Sequence, residues 1–156
     1  MRKIFLTVLI AVIAFSVSSA QKTYQWEQYK LSFTVPENME IVENTESSFI
    51  AEGQDIRVGV VPIEYENFKK DDAVELFEKM AKSMNLNMTN SASKKFNGTN
   101  CGGSFIVATS NENPDALGIV ALAASEVSKI CVCVMVIMTE EKAEDAGNIL
   151  GSLTFE

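Results

Sequence analysis

The sequence predicts an α+β domain, a three-layer α/β/α sandwich in which an antiparallel sheet carries a helix on each face. Three observations lead there. Ile130 to Met138 is nine apolar residues without a polar break, rich in β-branched side chains. Successive side chains of a strand point to opposite faces, so a strand apolar on both must be covered on both. Leu117 to Ala124 has the same character, and Glu126 to Lys129 reads as the turn joining the two into an antiparallel hairpin. Two amphipathic segments, near 72–85 and 140–151, are available as covers, and one against each face satisfies both strands. Ile130–Met138 is expected at the centre of the sheet. At about 3.3 Å per residue it reaches roughly 30 Å, the span of a small domain.

In chain order, residues 1–20 have the layout of a secretory signal peptide. Met1-Arg2-Lys3 is a basic start, Ile4 to Phe15 an apolar run broken only by Thr7, and Ser18 and Ala20 are the small residues of a cleavage site. The run is shorter than the ~20 residues a spanning helix needs, and no Cys follows it to take a lipid. The expectation is cleavage after Ala20, giving a periplasmic or extracellular protein without a membrane span. Removing 20 of 156 residues leaves 136, sufficient for a single domain over 21–156. Losing Arg2 and Lys3 takes 13 basic residues to 11 against 21 acidic, so the formal charge moves from −8 to −10. That sign repels nucleic acid and anionic lipid.

Tyr29 to Val35 alternates cleanly, with Leu31, Phe33 and Val35 on one face, and Pro36 ends it. Met39 to Val42 is a short extended piece. Ser48 to Glu52 and Asp55 to Ile63 read as strands around a Gly53-Gln54 turn, with Pro62 at an end or an edge. Glu64 to Lys70 is a polar connector. Asp72 with Glu75 has capping-box spacing. Ala73, Leu76, Phe77, Met80, Ala81 and Met84 follow as one helical stripe. Leu86 to Lys95 is a loop or weak strand. Asn97-Gly98 and Gly102-Gly103 mark a sharp turn or a close approach of the backbone. Ser104 to Thr109 is a strand, and Asn111 to Asp115, with Pro114, a turn. Ala116 to Met138 is 23 residues and mostly apolar, but as one spanning helix it would bury Glu126 and Lys129 at about 2.5 to 3.5 kcal/mol each; two strands carry no such cost. Thr139 is placed to cap the last helix, with Glu140 and Glu141 in its first turn. Its expected inner stripe is Ala143, Ala146, Gly147, Leu150 and Leu153.

Candidate chemistry is sparse. The chain has no histidine, which removes Ser-His and Cys-His dyads and the commonest metal ligand. No phosphate-binding glycine pattern is present, and Gly102-Gly103 reads as a turn pair. Cys101, Cys131 and Cys133 are an odd set without a fourth metal ligand. Cys131 and Cys133 share a strand face near 7 Å apart, too far to bond to each other. A bridge from Cys101 to either, and three reduced thiols, both stay open. Tyr24, Trp26 and Tyr29 suit stacking on a sugar or a partner, or anchoring of the first strand. Asn111, Glu112, Asn113 and Asp115 gather oxygen ligands without the spacing of a calcium loop. Glu140, Glu141, Glu144 and Asp145 read as a solvated helix face. No catalytic, cofactor or metal residue is assigned.

Several segments together resemble the PsbP-like family: Tyr29 to Pro36, Asp55-Ile-Arg-Val-Gly-Val, the helix from Asp72, Phe96-Asn97-Gly98, the apolar hairpin, and Ala146 to Phe155. That family takes its name from the extrinsic subunit of the photosynthetic oxygen-evolving complex and includes Ran-binding relatives and small secreted bacterial proteins. The resemblance implies an antiparallel α/β/α sandwich that binds and assembles rather than catalyses. No metal- or partner-binding motif of the family falls on particular residues here. The expected function is an exported non-catalytic binding or assembly module of the cell envelope, for a protein or small ligand and without a cofactor. The alternatives are a histidine-free hydrolase acting on glycans through two carboxylates such as Glu52 and Asp55, and a purely structural envelope protein.

Overall fold

The computed structural model describes residues 20–64, 73–88 and 92–156. Residues 1–19, with most of the expected leader, residues 65–72, with the expected cap Asp72, and residues 89–91 lie outside the described residues.

The described chain forms β1 (Gln21–Trp26), β2 (Leu31–Pro36), β3 (Glu40–Asn44), β4 (Phe49–Gly53), β5 (Ile56–Ile63), α1 (Ala73–Ser83), β6 (Leu86–Asn87), β7 (Lys94–Gly98), β8 (Cys101–Ser110), β9 (Ala116–Ser125), β10 (Ile130–Thr139), α2 (Ala143–Gly151) and β11 (Thr154–Phe155). The class is α+β, and every strand pair is antiparallel. There are two sheets rather than one. β1, β2 and β11 make a three-stranded sheet, while the large sheet runs β3-β4-β5-β10-β9-β8-β6, with β7 also pairing β8. The alternating strand from Leu31 therefore leaves the large sheet and joins the small one. Its apolar face still points inward: Leu31, Phe33 and Val35 are buried.

β10 holds the middle of the large sheet, between β5 and β9, as its unbroken apolar run requires. Its side chains divide between two cores. Val132, Val134, Val136 and Met138 pack with Phe33 and Phe49 and with Ala146, Ile149 and Leu150 of α2. Cys133 packs with Val120 and Leu122 of β9 and with Phe77 and Ala81 of α1. Cover is incomplete at one point, against expectation: Ile137 is exposed. Pro62 sits where β5 has run past β4 and pairs only with β10, so the missing ladder donor costs nothing on the open side.

Three local expectations are corrected. Asn97-Gly98 and Gly102-Gly103 lie inside β7 and β8, and the turn falls between them at Thr99–Asn100, where Asn100 takes φ 58°. Gly98 and Gly103 answer to the other expectation, close approach of the backbone. A methyl group on Gly98 would strike the Leu153 carbonyl, and one on Gly103 the Phe96 ring and the Leu122 carbonyl. Thr139 makes no side-chain cap; a 3-10 turn over Glu140–Lys142 precedes α2. Finally, Ala143 and Gly147 face solvent, and the buried face of α2 is Ala146, Ile149 and Leu150. Ile149 takes the inward place that Gly147 was expected to hold.

Candidate functional site

The hairpin of β4 and β5 turns on Gln54–Asp55, with Asp55 in the left-handed region at φ 61°. A two-residue turn there sets Glu52 directly opposite Arg57. The two form an ion pair at 3.1 Å, each about half exposed. Register carries the row further in both directions. Glu40 of β3 stands opposite Glu52, and Ile137 of β10 opposite Arg57. Glu40, Glu52, Arg57 and Ile137 thus cross four strands as one line. Thr139 N–H donates to the Asp55 carbonyl at 3.1 Å and ties the end of β10 to the hairpin turn.

Beside this row lies a shallow groove of about 270 Å³, lined by Glu52, Asp55, Ile56, Arg57, Ile137 and Met138 among others. The structure does bring the two carboxylates named for a glycan hydrolase to one groove. Glu52, however, has an oxygen engaged by Arg57 Nε. The floor is apolar and the rim carries charges of both signs. Such a surface suits contact with a protein, whose interfaces join an apolar centre to a charged rim. Arg57 and Ile137 were not singled out in the sequence. The pairing of Arg57 depends on the turn falling at Gln54–Asp55, one residue later than the expected Gly53-Gln54 turn, which would have set Glu52 opposite Asp55. The exposure of Ile137 depends on packing across the sheet.

The other candidates disperse. Tyr24 OH donates to the Met39 carbonyl at 2.6 Å, Trp26 Nε1 to Thr45 O at 2.9 Å and Tyr29 OH to Glu46 O at 2.8 Å. These aromatics fasten the small sheet to the β3 region, and Trp26, Tyr24 and Phe33 join the main core. A polar groove of about 520 Å³ opens beside them, between Gln25–Gln28 and Asn44–Glu46. The oxygens near Asn111 serve the turn: Asn113 Oδ1 accepts from Asp115 N–H, and Glu112 Oε1 from Asn85 Nδ2. Asp145 pairs with Lys142 at 3.4 Å, while Glu140, Glu141 and Glu144 are exposed. Among the described residues no group of His, Cys, Asp and Glu is arranged to hold a metal ion.

All three cysteines are free thiols. Cys101 packs against the core of Val132 and Val134, on the far side of the sheet from Cys133, so no bridge joins it to the β10 pair. Its Sγ lies 3.6 Å from the Leu153 carbonyl. Burial pushes the Cys131 thiol up to about 11, and burial with the neighbouring Cys131 pushes Cys133 up to about 12. Thiols held protonated in this way are poor nucleophiles.

No helix among the described residues is long and apolar enough to cross a membrane, and Ala116–Met138 is the strand pair β9 and β10. No family model matches the sequence, and no curated protein matches it. Solved structures do. The solution structure of cyanobacterial PsbP (CyanoP) from Synechocystis sp. PCC 6803 superposes with a TM-score of 0.61 at 7% identity, over 88% of this chain and 94% of that one. The Saccharomyces cerevisiae Ran-binding protein Mog1p does so with a TM-score of 0.51 at 14% identity, over 89% and 86%. At these identities the likeness is one of fold. The fold is PsbP-like.

Proposed function

We propose that this chain is an exported, non-catalytic binding or assembly module of the cell envelope, built as a three-layer sandwich with α1 and α2 over opposite faces of the large sheet. The observation that carries the reading is the Glu52–Arg57–Ile137 row: an apolar side chain 36% exposed beside a charge pair whose partners hold each other. A general acid must reach a substrate, and Glu52 is turned to its own neighbour. The fold likeness supports the same reading, since Mog1p is named as Ran-binding. Export rests on the basic, apolar and small-residue order of residues 1–20, and a charge of −10 after cleavage disfavours nucleic acid.

The test is capture from the native envelope with chain 21–156 as bait. Stoichiometric retention of one partner, lost in Arg57→Glu, supports the module. No partner, together with turnover of a glycan panel that is lost in Glu52→Gln, would reject it in favour of the hydrolase. Mass spectrometry of the exported protein should find Gln21 at the N-terminus; an intact Met1 or a lipidated terminus overturns the export reading.

A further inference from the structure

β3 ends the large sheet, and among the described residues its outer side has no strand partner. Among the described residues it also carries two adjacent exposed apolar side chains. Ile41 is 47% exposed and Val42 58%. The register shifts between Ile41 and Glu43, so Val42 has no opposite number on β4 and stands as the extra residue of a bulge. Natural sheets cover, shorten or charge such an edge, because its free N–H and C=O groups accept any extended chain of suitable sequence.

The charge here is of one sign. From Leu31 to Ile56 the chain carries Glu37, Glu40, Glu43, Glu46, Glu52 and Asp55 and not one Lys or Arg. Glu40 and Glu43 lie on β3 itself, on either side of the apolar pair. Arg57 stands two strands away, opposite Glu52. A second copy of this chain set against β3 through the same edge would bring glutamates to glutamates around Ile41 and Val42. An extended segment with Lys or Arg flanking β-branched residues meets the opposite situation: its backbone completes the ladder, its apolar side chains cover Ile41 and Val42, and its cations face the glutamates.

We infer that β3 is the docking edge for an extended, basic segment of a partner protein, taken up by strand addition. This deepens the binding reading and rests on it. Main-chain bonds supply affinity, and the glutamates set sign and orientation and speed encounter.

The probe is a fluorescent ten-residue peptide alternating Lys and Val, titrated into chain 21–156 and read by anisotropy. Val42→Lys and Glu40→Lys are compared with the parent after circular dichroism has established that each is folded. Binding is expected to weaken at least tenfold in either variant, to weaken severalfold from about 0.05 M to 0.3 M salt, and to vanish when alternate peptide amides are N-methylated. Hydrogen exchange should slow at residues 41–44 on binding. Binding that survives N-methylation, or that spares residues 41–44, is charge attraction without strand addition and overturns the inference. So does a dimer of the free protein with 41–44 already protected, which gives the edge to a second copy. An envelope partner still captured by Val42→Lys leaves the module standing and removes β3 from it; no captured partner at all removes the module.

Discussion

Cys133 and Val134 are neighbours on one strand and belong to different hydrophobic cores. Cys133 faces Phe77 and Ala81 of α1, and Val134 faces the cluster that includes Ile149 of α2. The backbone of β10 is the partition. Perturbations on the two sides should therefore be independent. Ile149→Val should cost about 0.5 to 1.5 kcal/mol and Phe77→Leu about 1 kcal/mol in urea denaturation. The double variant should equal the sum within about 0.5 kcal/mol. A coupling above about 1 kcal/mol would show that the cores communicate and that the partition fails.

Two glycines without positive φ should respond oppositely to alanine. Gly147 is within α2, faces solvent, and has nothing within 4 Å of where a Cβ would stand. Gly147→Ala should raise stability by about 0.5 to 1 kcal/mol, the entropy a helical glycine loses on folding. Gly98 is pressed on the Leu153 carbonyl, where the chain from α2 passes into β11. Gly98→Ala should lower stability by about 1 to 3 kcal/mol, since backbone rather than a flexible side chain must move. Urea midpoints that shift in the same direction for both would refute the assignment.

What the sequence made legible follows from how far apart the deciding groups are. Leu117–Ala124 and Ile130–Met138 disclosed their hairpin and their two-sided burial because the signal is local and apolar. Phe77 and Ala81 disclosed the inner face of α1 by spacing alone. The second sheet was hidden: β11 is two residues long and pairs with Ser32 and Leu31 from the other end of the chain. Its order could not be read from periodicity. β7 offered a single apolar residue, Phe96, and one glycine, Gly98, whose reason was a neighbour rather than a turn. At the site, Glu52 was visible as a charged residue, but the expected Gly53-Gln54 turn would have set it opposite Asp55; the turn falls one residue later and gives it Arg57. The bareness of Ile137 was not implied by anything near it in the chain.

The β10 thiols give a pH dependence with a definite sign. In the unfolded chain a thiol ionises near its ordinary 9.0, whereas Cys131 and Cys133 are held up to about 11 and about 12 by burial. Below pH ~9 both states keep their protons and the fold has its full stability. As pH rises beyond that, the unfolded chain releases protons the folded chain retains, and stability falls until the folded thiols themselves ionise. The parent should lose stability between about pH 9 and 11 more steeply than a Cys131→Ala/Cys133→Ala variant. The difference is on the order of a few kcal/mol, because each tenfold gain in a thiol's hold on its proton is worth about 1.4 kcal/mol. Parallel slopes for parent and variant would refute it. An aromatic disulfide reagent at pH 8 should find both thiols silent in the native protein and all three cysteines reactive in guanidinium.

Arg57 is the residue on which the candidate groove should turn. The Glu52 pair is about half exposed, so Glu52→Gln should change stability by less than about 1 kcal/mol. Arg57→Glu does more than delete the pair. It sets a third carboxylate in line with Glu52 and Glu40 and withdraws the long stem that stands beside Ile137. The expected cost is about 1 kcal/mol, recovered in part at about 0.5 M salt because the repulsion is between solvated charges. Capture of a groove-bound partner should be lost in Arg57→Glu and retained in Glu52→Gln, since only the first removes the cation and leaves the rim wholly acidic. Loss in both would mean that the carboxylate itself is used, and would return the groove to the hydrolase reading.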